Sequence, residues 1–229
     1  MALMRRRRAR QFAVIGLGRF GSSVAASLYR LGQEVLAVDT SEERVQEAAP
    51  HVTHAVQADA TDEEAMKALG IRNFDVVVVA IGELEASILA TSVVKGLGVP
   101  CVVAKALSEL HGRVLERVGA NRVVFPERDM GIRVAHSLVS GNLIDYVELV
   151  PGCNIVEVIA RQPFVGRSLK DLDFPARYGI NILAIRRGNQ VIAVPGADTV
   201  WWPWARTTGC GSFRRRPFHE QDGLRRSQS

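Results

Sequence analysis

Between residues 12 and 125 the apolar positions fall into short continuous runs separated by stretches of helical period. The runs at 12–16, 34–39, 53–57, 75–82, 100–105 and 122–125 are rich in Val, Ile and Ala. Runs without a polar alternation read as strands buried on both faces, which implies a parallel sheet covered on both sides, with DVVVVAIG at 75–82 as a central strand. Helical spacing fills the gaps. Residues 20–31 place Val24, Leu28 and Leu31 on one face before the stop at Gly32; Ser41 with Glu42 and Glu43 opens a second helix; Thr61 with Glu64 three places later reads as a capping box for a third. Helices are also expected over 84–97, 107–118 and 126–140. In the last, Pro126 takes the first turn, Glu127 and Asp129 complement the dipole, and Met130, Val134 and Leu138 form an apolar face.

After Gly141 the pattern changes to short strands and turns at 154–160, 181–186 and 191–194, with RGNQ as a hairpin signal. The expected class is α/β: a Rossmann-like doubly wound parallel sheet with a second, small α+β domain. The boundaries read as 11–141, 142–200 and a tail at 201–229. A second unit of about 50 residues is too small to be well stabilised without partners.

The chemistry concentrates at the first turn. QFAVIGLGRFG is an apolar strand, a G-x-G-x-x-G turn and a helix start. In such a turn Gly16 permits the tight bend, Gly18 lets the backbone approach pyrophosphate and Gly21 lets helix pack on strand, with phosphate on the helix N-terminus. Asp39 closes VLAVD at about the 20-residue offset where an acid accepts ribose hydroxyls. Asp59 follows the third strand, at the sheet edge that carries ligands; it reads either as an adenine or ribose contact or as a loop cap. Lys105 also falls at a carboxyl strand end, as a cofactor or interface charge or as a solvated lysine.

Composition narrows this. With 229 residues and 47% hydrophobic content the chain can bury a core, and no apolar run approaches a membrane span, so direct membrane insertion is not expected. MALMRRRRAR lacks the apolar segment of a signal peptide. Cys101, Cys153 and Cys210 lack metal-ligand spacing and read as reduced intracellular thiols. The net charge of +5 resides at the ends: five arginines precede residue 11 and the residues after Val200 carry a net +4, which leaves a mildly acidic body. A nucleic-acid partner is therefore not expected.

QFAVIGLGRFG, VLAVD, HAVQADATDEE, LGIRNFDVVVVAIG, the strand ending AKA, LERVGANRVVFPERDMG and YGINILAIRRGNQVIAVPGADT together resemble the Trk/Ktr potassium-uptake regulators, built from an N-terminal and a C-terminal RCK domain. The resemblance covers residues 11 to about 200 and includes features beyond the fold, the Arg19-Phe20 pair in the glycine loop and FPE at the linking helix. It implies a cytoplasmic regulatory subunit at the inner face of the membrane: a homodimer assembled into a ring of eight, gripping a membrane potassium-translocating subunit and set in shape by ATP/ADP or NAD(H). It implies that Gly16, Gly18, Phe20 and Gly21 line the phosphate loop, that Asp39 holds ribose, and that Arg19 reaches a terminal phosphate. Asp59 and Ala60 match the adenine-side loop. Glu127 matches a position that binds a divalent cation, Mg²⁺ or Ca²⁺, between protomers, with helix-dipole stabilisation as its alternative role. Leu169, Ile180, Asn181, Ile182 and Pro195 match positions that bind cyclic di-AMP in some relatives, but Pro175 stands where those relatives place an Arg.

Two other functions fit the same fingerprint, an NAD-dependent oxidoreductase and a structural scaffold. A dehydrogenase needs a proton donor over the nicotinamide, and the second unit offers no acid/base set: His51, His54, His111 and His136 precede residue 141 and His219 lies in the tail. The resemblance stops at Val200. Read one base back, codons for Val-Trp-Trp-Pro-Trp-Ala permit NTG-GTG-GCC-NTG-GGC, the apolar-Gly strand that relatives carry there. Residues 201–229 are therefore expected to be a frame-shifted, irregular tail, leaving the C-terminal unit without its closing strand.

Overall fold

The computed structural model describes residues 10–139, 143–150, 153–159, 164–203 and 205–211. The leader, Gly141, Trp204 and residues 212–229 lie outside the described residues. The chain divides into two compact units between Pro126 and Glu127.

The first unit alternates strand and helix: β1 (Gln11–Ile15), α1 (Arg19–Arg30), β2 (Glu34–Asp39), α2 (Glu42–Ala48), β3 (His54–Gln57), α3 (Glu63–Ala68), β4 (Val76–Val79), α4 (Leu84–Gly96), β5 (Val102–Lys105), α5 (Glu109–Arg117) and β6 (Arg122–Val124). The sheet order is β3-β2-β1-β4-β5-β6, and every pairing is parallel. Successive residues of each strand go to opposite faces. On one face Ala13, Ile15, Val77, Val79, Val102 and Ala104 pack with Met66, Ala90, Val94 and Leu115; on the other Val14, Val35, Ala37 and Val78 pack with Leu17, Ala25, Ala48 and Val52. Each Val, Ile or Leu so buried contributes about 1.5–3 kcal/mol relative to exposure. The order reverses at β1, where Ile15 lies beside both Val38 and Val79, and that reversal opens the crevice in which such sheets bind ligands.

Three local readings are corrected. The third helix is capped by Asp62, whose carboxylate accepts the Glu64 and Ala65 N–H groups, because Thr61 is already engaged by Asp59. Leu31 does not continue the buried face of α1: the helix ends at Arg30, and Leu31, its C-cap residue, is exposed. A strand, β7 (Leu143–Val150), lies where the sequence pattern predicts no element.

The second unit begins in α6 (Pro126–Val139) and continues through β7, β8 (Cys153–Ile159), α7 (Leu169–Leu172), α8 (Phe174–Tyr178), β9 (Ile180–Arg187), β10 (Gln190–Ala193) and β11 (Arg206–Gly211). The sequence boundary near 141 assigns the linking helix to the first domain, whereas its contacts group it with the second unit. The sheet is antiparallel, in the order β10-β9-β11-β8-β7, and RGNQ turns the β9–β10 hairpin through Gly188 at φ +53°.

The expectation of a missing last strand is overturned. β11 lies inside the sheet, pairing with β8 on one side and β9 on the other. Trp201 is buried against Phe164, Phe174, Leu172 and Ile185. RTTGCG is a poor strand former, but the slot between β8 and β9 offers unpaired main-chain groups on both sides, and any extended backbone can satisfy them. Trp201 then supplies the apolar bulk that anchors the segment.

Candidate functional site

The glycine loop is shaped by contacts that admit no side chain. Gly16 has φ +90°, and a Cβ there would stand 2.9 Å from the Ala80 carbonyl carbon and the Ile81 nitrogen. A Cβ on Gly21 would overlap the Gly16 carbonyl oxygen, so α1 can lie against β1 only with glycine there. Gly18 differs: nothing stands within 4 Å of its added Cβ. It is the N-cap of α1, whose first turn has neither a capping side chain nor an acidic residue. By contrast Ser41, Asp62, Glu83 and Ser108 cap α2 to α5. An uncapped N-terminus facing open space leaves backbone donors and the positive dipole end for an anion.

Asp39 ends β2 beside this loop and is buried. Its Oδ2 accepts the Leu17 N–H at 2.6 Å, inside the turn between Gly16 and Gly18, and its Oδ1 accepts the Ser41 N–H at 2.9 Å. The Arg44 guanidinium stands 3.6 Å from Oδ2. A carboxylate has about four lone-pair sites. Asp39 can therefore hold the loop and still accept a ribose hydroxyl, so the residues present fit the adenosine diphosphate portion of a nucleotide. A crevice of about 180 Å³ adjoins it between α1 and α2, lined in part by Leu17, Ser22, Arg44 and His51.

The remaining expected residues are placed as follows. Arg19 is exposed and Phe20 half-buried in the first turn of α1. Asp59 is exposed after β3; its Oδ1 accepts the Thr61 N–H at 2.9 Å and hydroxyl at 2.8 Å, and these bonds, the backbone one foremost, hold its carboxyl below the usual aspartate value. Ala60 is buried. The Ala58 N–H, donating to the Asp39 carbonyl at 3.0 Å, brings this loop beside the end of β2. Lys105 is half-buried at the end of β5. Glu127 is exposed in the first turn of α6, within the second unit. Among the described residues no group of three or more His, Cys, Asp or Glu is arranged to hold a metal ion.

In the second unit Ile180, Asn181 and Ile182 open β9, with Ile180 buried and Asn181 exposed, and Leu169 shares an apolar cluster with Ile182. Pro195 is half-buried beyond β10, and Pro175 sits in the first turn of α8. Two residues escaped sequence reading: Arg44, on an exposed helix position like any solvated arginine, and Leu17, which contributes its main-chain N–H and so carries no side-chain signal.

The TrkA-N domain family model matches residues 12–126 and the TrkA-C domain model residues 148–200. The chain is 50% identical over 192 residues to the Ktr system potassium uptake protein C of Bacillus subtilis (strain 168), covering 83% of this chain and 87% of that protein. It is 45% identical to the Ktr system potassium uptake protein A of the same organism, over 83% and 86% of the two chains. Its fold is similar to that of the GsuK channel bound to NAD, with a TM-score of 0.52 and 22% identity over 90% of this chain and 37% of that one. It is also similar to GsuK bound to ADP, with a TM-score of 0.50 and 26% identity over 58% and 34%.

Proposed function

The chain belongs to the TrkA-N/TrkA-C family of potassium-uptake proteins, and from that premise we propose that it is the cytoplasmic, nucleotide-binding regulatory subunit of a potassium channel or transporter. The observation that carries the nucleotide half of this reading is the Asp39 carboxylate bonded to the Leu17 N–H, which joins the ribose position to the phosphate loop. Gly16, Gly18 and Gly21 cradle the phosphates, Phe20 and Arg19 border them, Asp39 takes the ribose, and Asp59 and Ala60 lie on the adenine side. Lys105 serves as a charge at the cofactor edge. The ligand is ATP/ADP or NAD(H): relatives of this fold are named as bound to NAD and to ADP. Asp39 disfavours a 2′-phosphate by charge.

The subunit works without catalysis. A ligand shifts an equilibrium only through a difference in its affinity for two forms, and a terminal phosphate within reach of Arg19 supplies that difference between ATP and ADP. The forms are those of an oligomer built from homodimers, a ring of eight, seated on the membrane subunit. Exposed Met130, Val134 and Leu138, on one face of α6, give each protomer an apolar surface for pairing. Glu127 contributes an oxygen ligand to a Mg²⁺ or Ca²⁺ ion completed by a second protomer. Among the described residues no helix is long and apolar enough to cross a membrane, so attachment runs through the partner. Cyclic di-AMP is a second-ligand candidate at Leu169, Ile180, Asn181, Ile182 and Pro195, weakened by Pro175.

Calorimetric titration of the full chain with ATP, ADP, NAD⁺ and NADH tests the reading. Saturable binding of at least one below millimolar supports it, and no binding of any overturns it. Light scattering with and without the bound nucleotide reads the assembly in the same preparation.

A further inference from the structure

Cys153 opens β8 and Cys210 lies near the end of β11, so residues 57 positions apart come onto adjacent strands. Their sulfurs are 3.8 Å apart, and both residues are partly exposed. Cys210 stands opposite Ile155 and Gly211 opposite Asn154, which makes Cys153 and Cys210 diagonal neighbours. A diagonal pair stands ~7–8 Å apart at Cα, beyond the ~7 Å that a disulfide spans, so the backbone must move to bring the two residues together. The chain is built to give there. Cys210 is flanked by Gly209 and Gly211, and the β11–β9 ladder shifts register between Thr208 and Gly209. Cys101, by contrast, belongs to the first unit, immediately before β5.

We propose that Cys153 and Cys210 form a reversible thiol–disulfide site, oxidised by hydroperoxides and reset by dithiols, that ties β11 to β8. Cys153 thiolate attacks the hydroperoxide: a sulfur–oxygen bond forms as the oxygen–oxygen bond breaks, two electrons pass from sulfur to peroxide, and the alcohol or water leaves with the proton. The Cys210 sulfur then attacks the Cys153 sulfenic acid; the sulfur–sulfur bond forms, the sulfur–oxygen bond breaks, and water leaves with the Cys210 proton. Contact with Cys153 raises the Cys210 thiol above the ordinary cysteine range. Intracellular disulfides of this kind are typically transient and redox-sensing. The consequence reaches β9, because Asn181 lies opposite Cys210 on the other side of β11. Drawing Cys210 toward β8 pulls the strand away from the segment that holds Ile180, Asn181 and Ile182.

The test is mass spectrometry of the full chain before and after hydrogen peroxide. The expected result is a mass loss of two hydrogens per chain, a digest peptide linking Cys153 to Cys210, and recovery of both free thiols with dithiothreitol. Cys101→Ser keeps the linked peptide, while Cys153→Ser and Cys210→Ser each abolish it. The proposal is overturned if the two residues stay reduced while Cys101 oxidises, if they go separately to sulfinic acid, or if the links found join different chains. The map is read on the unmutated chain, so a variant that fails to fold does not remove the test.

Discussion

The Asp39 carboxylate accepts the Leu17 N–H at 2.6 Å, and this bond makes the end of β2 and the glycine turn one object. Replacing Asp39 by Ala removes the proposed ribose acceptor and also strands the Leu17 and Ser41 N–H groups. Nucleotide affinity is expected to fall by roughly 1.5–3 kcal/mol, the range for a charge-assisted hydrogen bond. Calorimetry reads the affinity. Unchanged affinity in a folded Asp39→Ala protein would remove Asp39 from the site.

The glycines separate binding from folding. Gly21→Ala drives a Cβ into the Gly16 carbonyl, and such overpacking costs about 1–3 kcal/mol of stability. Gly18→Ala meets nothing within 4 Å, so it should leave the denaturant midpoint nearly unchanged while blocking the approach of pyrophosphate. Equal loss of stability in the two variants would mean that Gly18 is only a turn residue.

What could be read from the sequence follows from where the physics is local. VVVV at 76–79 announces a strand buried on both faces, and the glycine spacing announces its turn, because each signal lies in consecutive residues. β11 could not be read this way. RTTGCG has two glycines and no apolar period, and its place is set by the unpaired backbones of β8 and β9, which lie far from it in sequence. Asp62 hid behind Thr61 for a related reason: both can cap, and only the position of Asp59 decides between them. In the candidate site the acid and glycines were legible as residue types, while the Leu17 N–H was not.

Trp201 carries the fold of the second unit. Trp201→Ala empties a site between Phe164 and Phe174 and is expected to cost about 3–5 kcal/mol, enough to unfold so small a unit. A stop after Val200, which also removes β11, should act similarly, with nucleotide binding by the first unit retained. Hydrogen exchange checks both: protection along β8 and β9 should collapse while that along β1 and β4 stays. We propose, separately, that residues 201–229 arose by a frame shift, which sequencing of the coding DNA tests through the bases GTG-GCC; that origin leaves the packing role of Trp201 unchanged.

Asp59 gives a pH signature. Its folded-state pKa is depressed by the Thr61 N–H and hydroxyl, so its contribution is present above the ordinary aspartate value and is lost as pH falls through the depressed one. Denaturant midpoints of Asp59→Asn should therefore fall less steeply than those of the unmutated chain as pH drops below the ordinary aspartate value of about 3.9. Parallel curves would contradict the role of the Thr61 bonds.

The central claim, that nucleotide bound at Asp39 regulates potassium movement, is tested most directly by potassium flux. The membrane subunit is reconstituted in vesicles with this chain, and flux is measured with ATP, ADP, NAD⁺, NADH or no nucleotide. The account predicts that flux differs between at least two of these conditions and that Asp39→Ala, still bound to the membrane subunit, abolishes the difference. Equal flux in all conditions, or a nucleotide effect that survives Asp39→Ala unchanged, would contradict it.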